Sequence, residues 1–192
     1  MSAALELVQG VPIRLITRRD YHILAEAGVF AEGDRVELLE GVISPMTPQG
    51  GRHSKTIARL NSSLLPALLG RATVFVQAPF AASDISEPEP DLFVTSLDLG
   101  DEDEHPDSAY CVIEVAVSSL HRDRRKASLY AGAKVAQYIL LDLSTRTARI
   151  YRDPNGTEYD REETVREGTP IVIDAFPDVC FDLADVLPKP AP

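Results

Sequence analysis

The strongest constraint on this chain is a carboxylate set inside an apolar strand. Residues Tyr110 to Val117 are short, β-branched or aromatic in character and are closed by Ser118 and Ser119, which is the pattern of a buried strand. Glu114 interrupts that run between Ile113 and Val115. An unpaired buried charge costs several kcal/mol, so a cation or a set of donors must meet this side chain. A second strand-like run, Leu92 to Thr95, is opened by Pro90-Asp91, and Lys126 follows on a segment with helical spacing. Consecutive elements thus deliver a carboxylate pair and a lysine, the inventory of a metal-dependent phosphodiesterase site.

A chain of 192 residues, 44% of them hydrophobic, can build one well-formed core but hardly two. A single domain over residues 1–192 is expected, with 1–16 and 188–192 as peripheral tails. The longest apolar runs, such as Tyr138 to Leu143, fall far short of the ~20 residues needed to cross a bilayer, and Met1 to Gly10 lacks the basic start and apolar stretch of a leader. A cytoplasmic location is the expectation. Nineteen Lys and Arg against 30 Asp and Glu give a formal charge of −11, which opposes indiscriminate nucleic-acid binding, so any such surface must be local. Cys111 and Cys180 read as two small apolar thiols in the core.

In chain order, Thr17 with Asp20 forms a capping-box pattern that starts a helix stopped by Gly28, with Tyr21, Leu24 and Ala25 as its apolar stripe. Val36 to Ser44 reads as a strand pair bent at Gly41, carrying Glu37 and Glu40, of which one or both should face solvent. A helix follows from about His53 to Leu69, with Ile57, Leu60, Leu64 and Leu68 on one face and Pro66 expected to kink or shorten its last turn. Arg52, Lys55 and Arg59 form a basic stripe on another face, either simply solvated or contacting phosphates. Val74 to Phe80 is the next strand, and Gln77 within it would satisfy a neighbouring backbone group or hold a metal-bound water.

Ser83 to Glu89 and Leu97 to Ser108 read as acidic surface loops, the second with His105 as a lone exposed imidazole. Asp123 can start the helix that carries Lys126, Tyr130 and Ala131, and an Asp123–Lys126 ion pair is the plain alternative for that lysine. The remainder alternates strand-like segments at Gln137 to Leu143, Thr147 to Tyr151, Glu163 to Arg166 and Pro170 to Ile173. A turn is expected at Asp153 to Gly156 and a helical turn at Phe181 to Leu187.

The order helix, three strands, helix, strand from His53 to Leu143 is an α/β core. With Asp91 opening the second strand and Glu114 inside the third, it resembles the PD-(D/E)XK nuclease fold, and one branch in particular, the Uma-two family of restriction-endonuclease-like proteins. The segments that carry the resemblance are DRVELLEGVISPMTP, the following His53, VQAPF, EPEPDLFV, CVIEVAVSSLHRDRRKASLYA and QYILLDL, spanning roughly Thr17 to Arg152. The fold's usual lysine, two residues after the glutamate, is Ala116 here. In the branch it resembles, the lysine has moved to the next helix, as Lys126 has. Lys134, Ala136, Ile139 and Val117 depart from a glycine, a proline, a tryptophan and an acidic residue.

The resemblance implies a restriction-endonuclease-like core, a mixed β-sheet flanked by helices, with an added N-terminal helix and strands and a C-terminal β extension. It implies that Asp91, Glu114 and the carbonyl of Val115 ligate Mg²⁺ or Mn²⁺, and that Lys126 orients or helps deprotonate the attacking water. Glu37 is a candidate further acid. Arg52, Lys55, Arg59, Arg122, Arg124 and Arg125 are the candidate contacts to DNA, and a homodimer would let two sites act on two strands. The alternative is a non-catalytic descendant that keeps the fold for regulation or assembly.

Overall fold

A computed structural model describes the backbone of residues 5–8, 11–46, 48–116 and 120–189, with side chains from residue 13 onward except at 117–125. The chain opens with a small hairpin, β1 (Leu5–Val8) and β2 (Val11–Arg14), and then α1 (Arg18–Glu26). The expected capping box is present: Thr17 Oγ1 accepts from the Asp20 amide, and the Asp20 carboxylate accepts from the Thr17 amide. The Tyr21, Leu24, Ala25 stripe is shallower than its spacing suggests, since no residue of α1 is fully buried. Tyr21 reaches the protein through its hydroxyl, which donates to the Val36 carbonyl at 2.9 Å.

A second hairpin follows, β3 (Val36–Leu39) and β4 (Val42–Pro45), with Glu40 and Gly41 at φ +50° and +77° in its two-residue turn. Positive φ at both central residues is what a tight hairpin turn requires. Gly41 is also needed for space, because a Cβ there would lie 2.5 Å from the Leu15 Cβ. Gly41→Ala is expected to cost about 2 kcal/mol or more of stability, measured as a lowered urea midpoint at unchanged m-value. A loss under about 0.5 kcal/mol would contradict this packing.

Helix α2 (Gly51–Leu68) buries Ile57, Leu60, Leu64 and Leu68 along one face. It leads to β5 (Thr73–Val76), β6 (Leu92–Thr95), β7 (Cys111–Ala116), α3 (Leu120–Gly132), β8 (Gln137–Asp142), β9 (Thr147–Pro154) and β10 (Tyr159–Arg166). These strands form one sheet in the order β10-β9-β8-β7-β6-β5, in which β7 and β8 are parallel and every other pair is antiparallel. The parallel pair is the one that needs a crossover, and α3 supplies it.

Each face of the sheet carries its own core. Cys111, Ile113 and Val115 of β7 and Leu92 and Val94 of β6 pack with α2. Val112 and Phe93 pack on the other face with Ala127 and Tyr130 of α3 and with Tyr138 and Tyr151. The C-terminal extension consists of β11 (Ile171–Ile173), β12 (Phe176–Phe181) and α4 (Leu183–Val186), which close over the α2 side. This is a restriction-endonuclease-like α/β core with the expected additions at both ends.

Several local expectations are corrected. The strand expected through Phe80 ends at Val76, because Gln77 takes φ +50°. Strands β9 and β10 run longer than the residues suggest, so the turn falls at 155–158, where Asn155 Oδ1 accepts from the Thr157 and Glu158 amides. Strand β12 lies outside the strand-like segments of the sequence. Cys180 is exposed rather than in the core, since alternation along β12 turns Val179 and Phe181 inward and Cys180 out.

Candidate active site

The pairing of β6 with β7 fixes the geometry of the site. Leu92 lies opposite Ile113, so one residue further the register sets Asp91 against Glu114. Past the end of that ladder the two carboxylates meet at the edge of the sheet: Glu114 keeps the α3 side with Val112, and Asp91 meets His53 of α2 and the Val115 amide. Both carboxylates are buried, Asp91 at 5% and Glu114 at 9% relative exposure. The ladder between the two strands stops at Leu92–Ile113, and beyond it the Val115 amide donates to Asp91 Oδ2 at 2.8 Å.

Helix α3 supplies the compensating groups. Lys126 Nζ donates to Glu114 Oε1 at 2.9 Å, and one turn later the Tyr130 hydroxyl donates to the same oxygen at 2.8 Å. Offsets of four place these two side chains together on one helix face. Lys126 also lies 3.3 Å from Glu37 Oε2, which brings β3 into the cluster. Glu37 is the buried acid of its hairpin and Glu40 the exposed one. The side chain of Asp123 lies outside the described residues; the ion partners described for Lys126 are Glu114 and Glu37.

From the other face, the first turn of α2 contributes His53, whose Nε2 is 3.0 Å from Asp91 Oδ2. His53 Nδ1 is buried and has no hydrogen-bond partner among the described residues. Gln77 backs the site through its main chain, its amide donating to the Asp91 carbonyl at 3.1 Å, while its buried Nε2 has no partner among the described residues.

Burial and charge set the protonation of these groups. Burial pushes the Glu114 carboxyl up to about 7; the Lys126 ammonium pulls against this, and the Asp91 charge adds to it. Burial alone would lower Lys126, but the Glu114 and Glu37 carboxylates more than offset it and hold the amine above its ordinary range. Burial and the nearby Glu114 charge keep the Tyr130 hydroxyl protonated, so it acts as a donor. Burial works against a charged His53, but the hydrogen bond to Asp91 and that carboxylate's charge raise it overall.

The donor set suits a hard divalent ion. Among the described residues, every hydrogen bond to Asp91 lands on Oδ2 and every one to Glu114 on Oε1, so Oδ1 and Oε2 have no described donor. Two carboxylates are a typical protein contribution to Mg²⁺, which keeps several waters and takes the rest from substrate phosphate. A dication would also offset the burial and the Asp91 charge that together raise Glu114.

Of the candidate DNA contacts, Arg52, Lys55 and Arg59 are not gathered here. Arg52, Lys55 and Arg59 are exposed, and at about 100° per residue their stripe lies roughly 140° around α2 from the face that carries His53. The side chains of Arg122, Arg124 and Arg125 lie outside the described residues. His53 and Tyr130 belong to the cluster although neither had been assigned a role. Their signal was positional: His53 begins the Ile57, Leu60, Leu64 stripe, and Tyr130 stands four residues after Lys126.

Comparison with known proteins agrees with this architecture. No curated protein sequence matches the chain. Among solved structures, one described as a "putative nuclease belonging to DUF820" from Anabaena variabilis superposes with a TM-score of 0.73 at 17% identity, covering 89% of this chain and 97% of that one. Among the described residues, no helix is long and apolar enough to cross a membrane. The Uma2 family, described as "Putative restriction endonuclease", matches residues 18–184, which include every element from α1 to β12 and all of the clustered acids, and the chain belongs to that family.

Proposed function

We propose that this protein is a Mg²⁺- or Mn²⁺-dependent endodeoxyribonuclease that hydrolyses phosphodiester bonds at the Asp91–Glu114–Lys126 cluster. The observation that carries the reading is the convergence of two opposed carboxylates with a lysine from the crossover helix. The family description and the solved relative's description as a nuclease favour the same chemistry.

Asp91 and Glu114, with the Val115 carbonyl, would hold the ion, which when bound neutralises charge on the phosphoryl group and makes water easier to deprotonate. In the reaction a water oxygen adds to phosphorus and gives its proton to solvent, the P–O bond to the leaving sugar oxygen breaks, and that oxygen takes up a proton from solvent to leave as an alcohol. The Lys126 amine is held protonated by its two acidic neighbours, so its part is to orient the water and offset phosphoryl charge. Glu37 fixes the amine from the second side, and the Asp91–His53 bond fixes the carboxylate. A second copy of the chain would bring a second site to the complementary strand.

A Mn²⁺ titration followed by NMR tests the metal claim. Paramagnetic broadening should begin at the Val115 and Asp91 amides; broadening confined to the acidic loop at 98–104 would overturn it. The affinity should also depend on pH. Glu114 is raised from 4.5 to about 7, so the metal-free native state holds a proton that the unfolded chain has lost. This group therefore stabilises the fold below about pH 4.5, and that contribution disappears as pH rises through about 7. Metal binding must expel the same proton, so calorimetry should show tighter Mn²⁺ binding at about pH 8 than at about pH 6, with proton release near pH 7. Equal affinities would contradict the protonation state assigned to Glu114.

The net charge of −11 and the outward-facing basic stripe favour a second reading, a regulatory or assembly protein that retains the fold. Such a protein would not cut DNA even when loaded with metal.

A further inference from the structure

A second cluster lies outside this site and involves none of its residues. Glu87 is 3% exposed, and its two oxygens are used differently. Oε2 accepts from Arg18 Nε at 2.8 Å, whereas Oε1 is approached by His22 Nε2 at 2.8 Å and by His105 Nε2 at 3.9 Å. The two imidazoles meet edge to face with centroids 5.6 Å apart, and the three ligand atoms all lie within 4.8 Å of one another. The loops at 83–89 and 97–108, expected to be simple surface connections, are therefore tied together, and His105 is not a lone imidazole.

We propose that His22, Glu87 and His105 form a binding site for a zinc-class divalent transition ion that clips α1 and the β6–β7 loop to the segment leading into Asp91. The proposal does not depend on the nuclease reading.

Three arguments support it. The first is distance: with metal–ligand bonds of about 2.0–2.2 Å, tetrahedral ligand atoms stand roughly 3.3 Å apart. The separations of 2.8 and 3.9 Å straddle that value, and both imidazoles are two-fifths exposed and free to adjust. The second is the lack of a better explanation for His105, which faces Oε1 at a distance too long for a hydrogen bond. Arg18 takes Oε2, so Oε1 is the carboxylate oxygen that both imidazoles approach. The third is the surrounding shell. Arg18 fixes the unused carboxylate oxygen, and Glu104, 3.4 Å from Arg18 Nη2, offsets the guanidinium within an acidic run. Two imidazoles and one carboxylate suit Zn²⁺ rather than Mg²⁺, whereas the Asp91–Glu114 site offers oxygen alone.

The test uses full-length protein stripped with chelator and titrated with Zn²⁺ by calorimetry, comparing wild type, the His22→Ala/His105→Ala double variant and Asp91→Asn. One Zn²⁺ site should survive Asp91→Asn and weaken by about a hundredfold or more in the double variant, since altering outer-shell partners alone costs ten- to a hundredfold. Co²⁺ should give visible ligand-field absorption in wild type and none in the double variant, and Zn²⁺ should raise the unfolding temperature only where both histidines are present. His105→Gln, which keeps a polar side chain at a two-fifths-exposed position, serves as a second variant should the double one misfold, and it should weaken the site in the same direction. Absence of Zn²⁺ binding in wild type, wild-type binding in a histidine variant, or loss of all binding in Asp91→Asn would overturn the proposal.

Discussion

Glu114→Gln is expected to reduce metal-dependent cleavage by about a thousandfold or more while the protein stays folded. The amide preserves the shape of the side chain and can still accept from Tyr130 and Lys126 through its carbonyl oxygen. What it lacks is the negative charge that holds the ion, and the charge stabilisation supplied by a bound ion amounts to several kcal/mol at about 1.4 kcal/mol per decade of rate. Folding should suffer little, because burial already favours the uncharged form of this side chain and Glu37 remains as the ion partner of Lys126. Thermal unfolding of the metal-free variant should therefore stay close to that of wild type near neutral pH. Cleavage within tenfold of wild type would remove Glu114 from the metal site.

Lys126→Ala is expected to act on both activity and stability. The lysine is largely buried between two acids, at 2.9 Å from Glu114 and 3.3 Å from Glu37. Removing one member of a buried ion pair leaves an uncompensated charge and costs about 3–5 kcal/mol. Part of that loss should return on adding Mn²⁺, because the ion replaces the missing cation beside Glu114, whereas wild type should gain less. Cleavage should fall by about a hundredfold or more with metal binding retained, since the amine acts on water and phosphate and is not a ligand. A variant as stable as wild type without metal would mean that the lysine does not balance these carboxylates.

The residues that could be recognised before the fold were those whose local surroundings contradicted them. Glu114 within Val-Ile-Glu-Val-Ala demanded a partner, Pro90-Asp91 marked the start of a strand, and Lys126 stood on the next helix. The pairing of Leu92 with Ile113 and the reach of α3 turned these into one cluster. Thr17 and Asp20 were legible for the same reason, since a capping box is complete within four residues. Groups whose partners are distant in sequence were not legible. Glu87 lies in a stretch that reads as an acidic loop, yet it is buried by Arg18 and His22, 69 and 65 residues away. Gln77 sits in an apolar run but leaves the strand through a left-handed backbone conformation that its side chain does not advertise. Strand β12 contains Pro177 and Asp178 and pairs across an irregular register with β11, so neither composition nor alternation announces it. The largely exposed, charged β10 is held by its ladder to β9 more than by burial, which is why only its end was visible.

The most direct test of the account is a cleavage assay on supercoiled plasmid DNA at low ionic strength, with chelator, Mg²⁺ or Mn²⁺, comparing wild type and Asp91→Asn. Low salt matters because a chain of net charge −11 can meet phosphates only through local basic groups, and that attraction is screened as salt rises. The account predicts nicked or linear product only with a divalent ion, fading with added salt, and none above background from Asp91→Asn. Equal cleavage by Asp91→Asn, or intact plasmid after incubation with folded, Mn²⁺-loaded wild type, would contradict it.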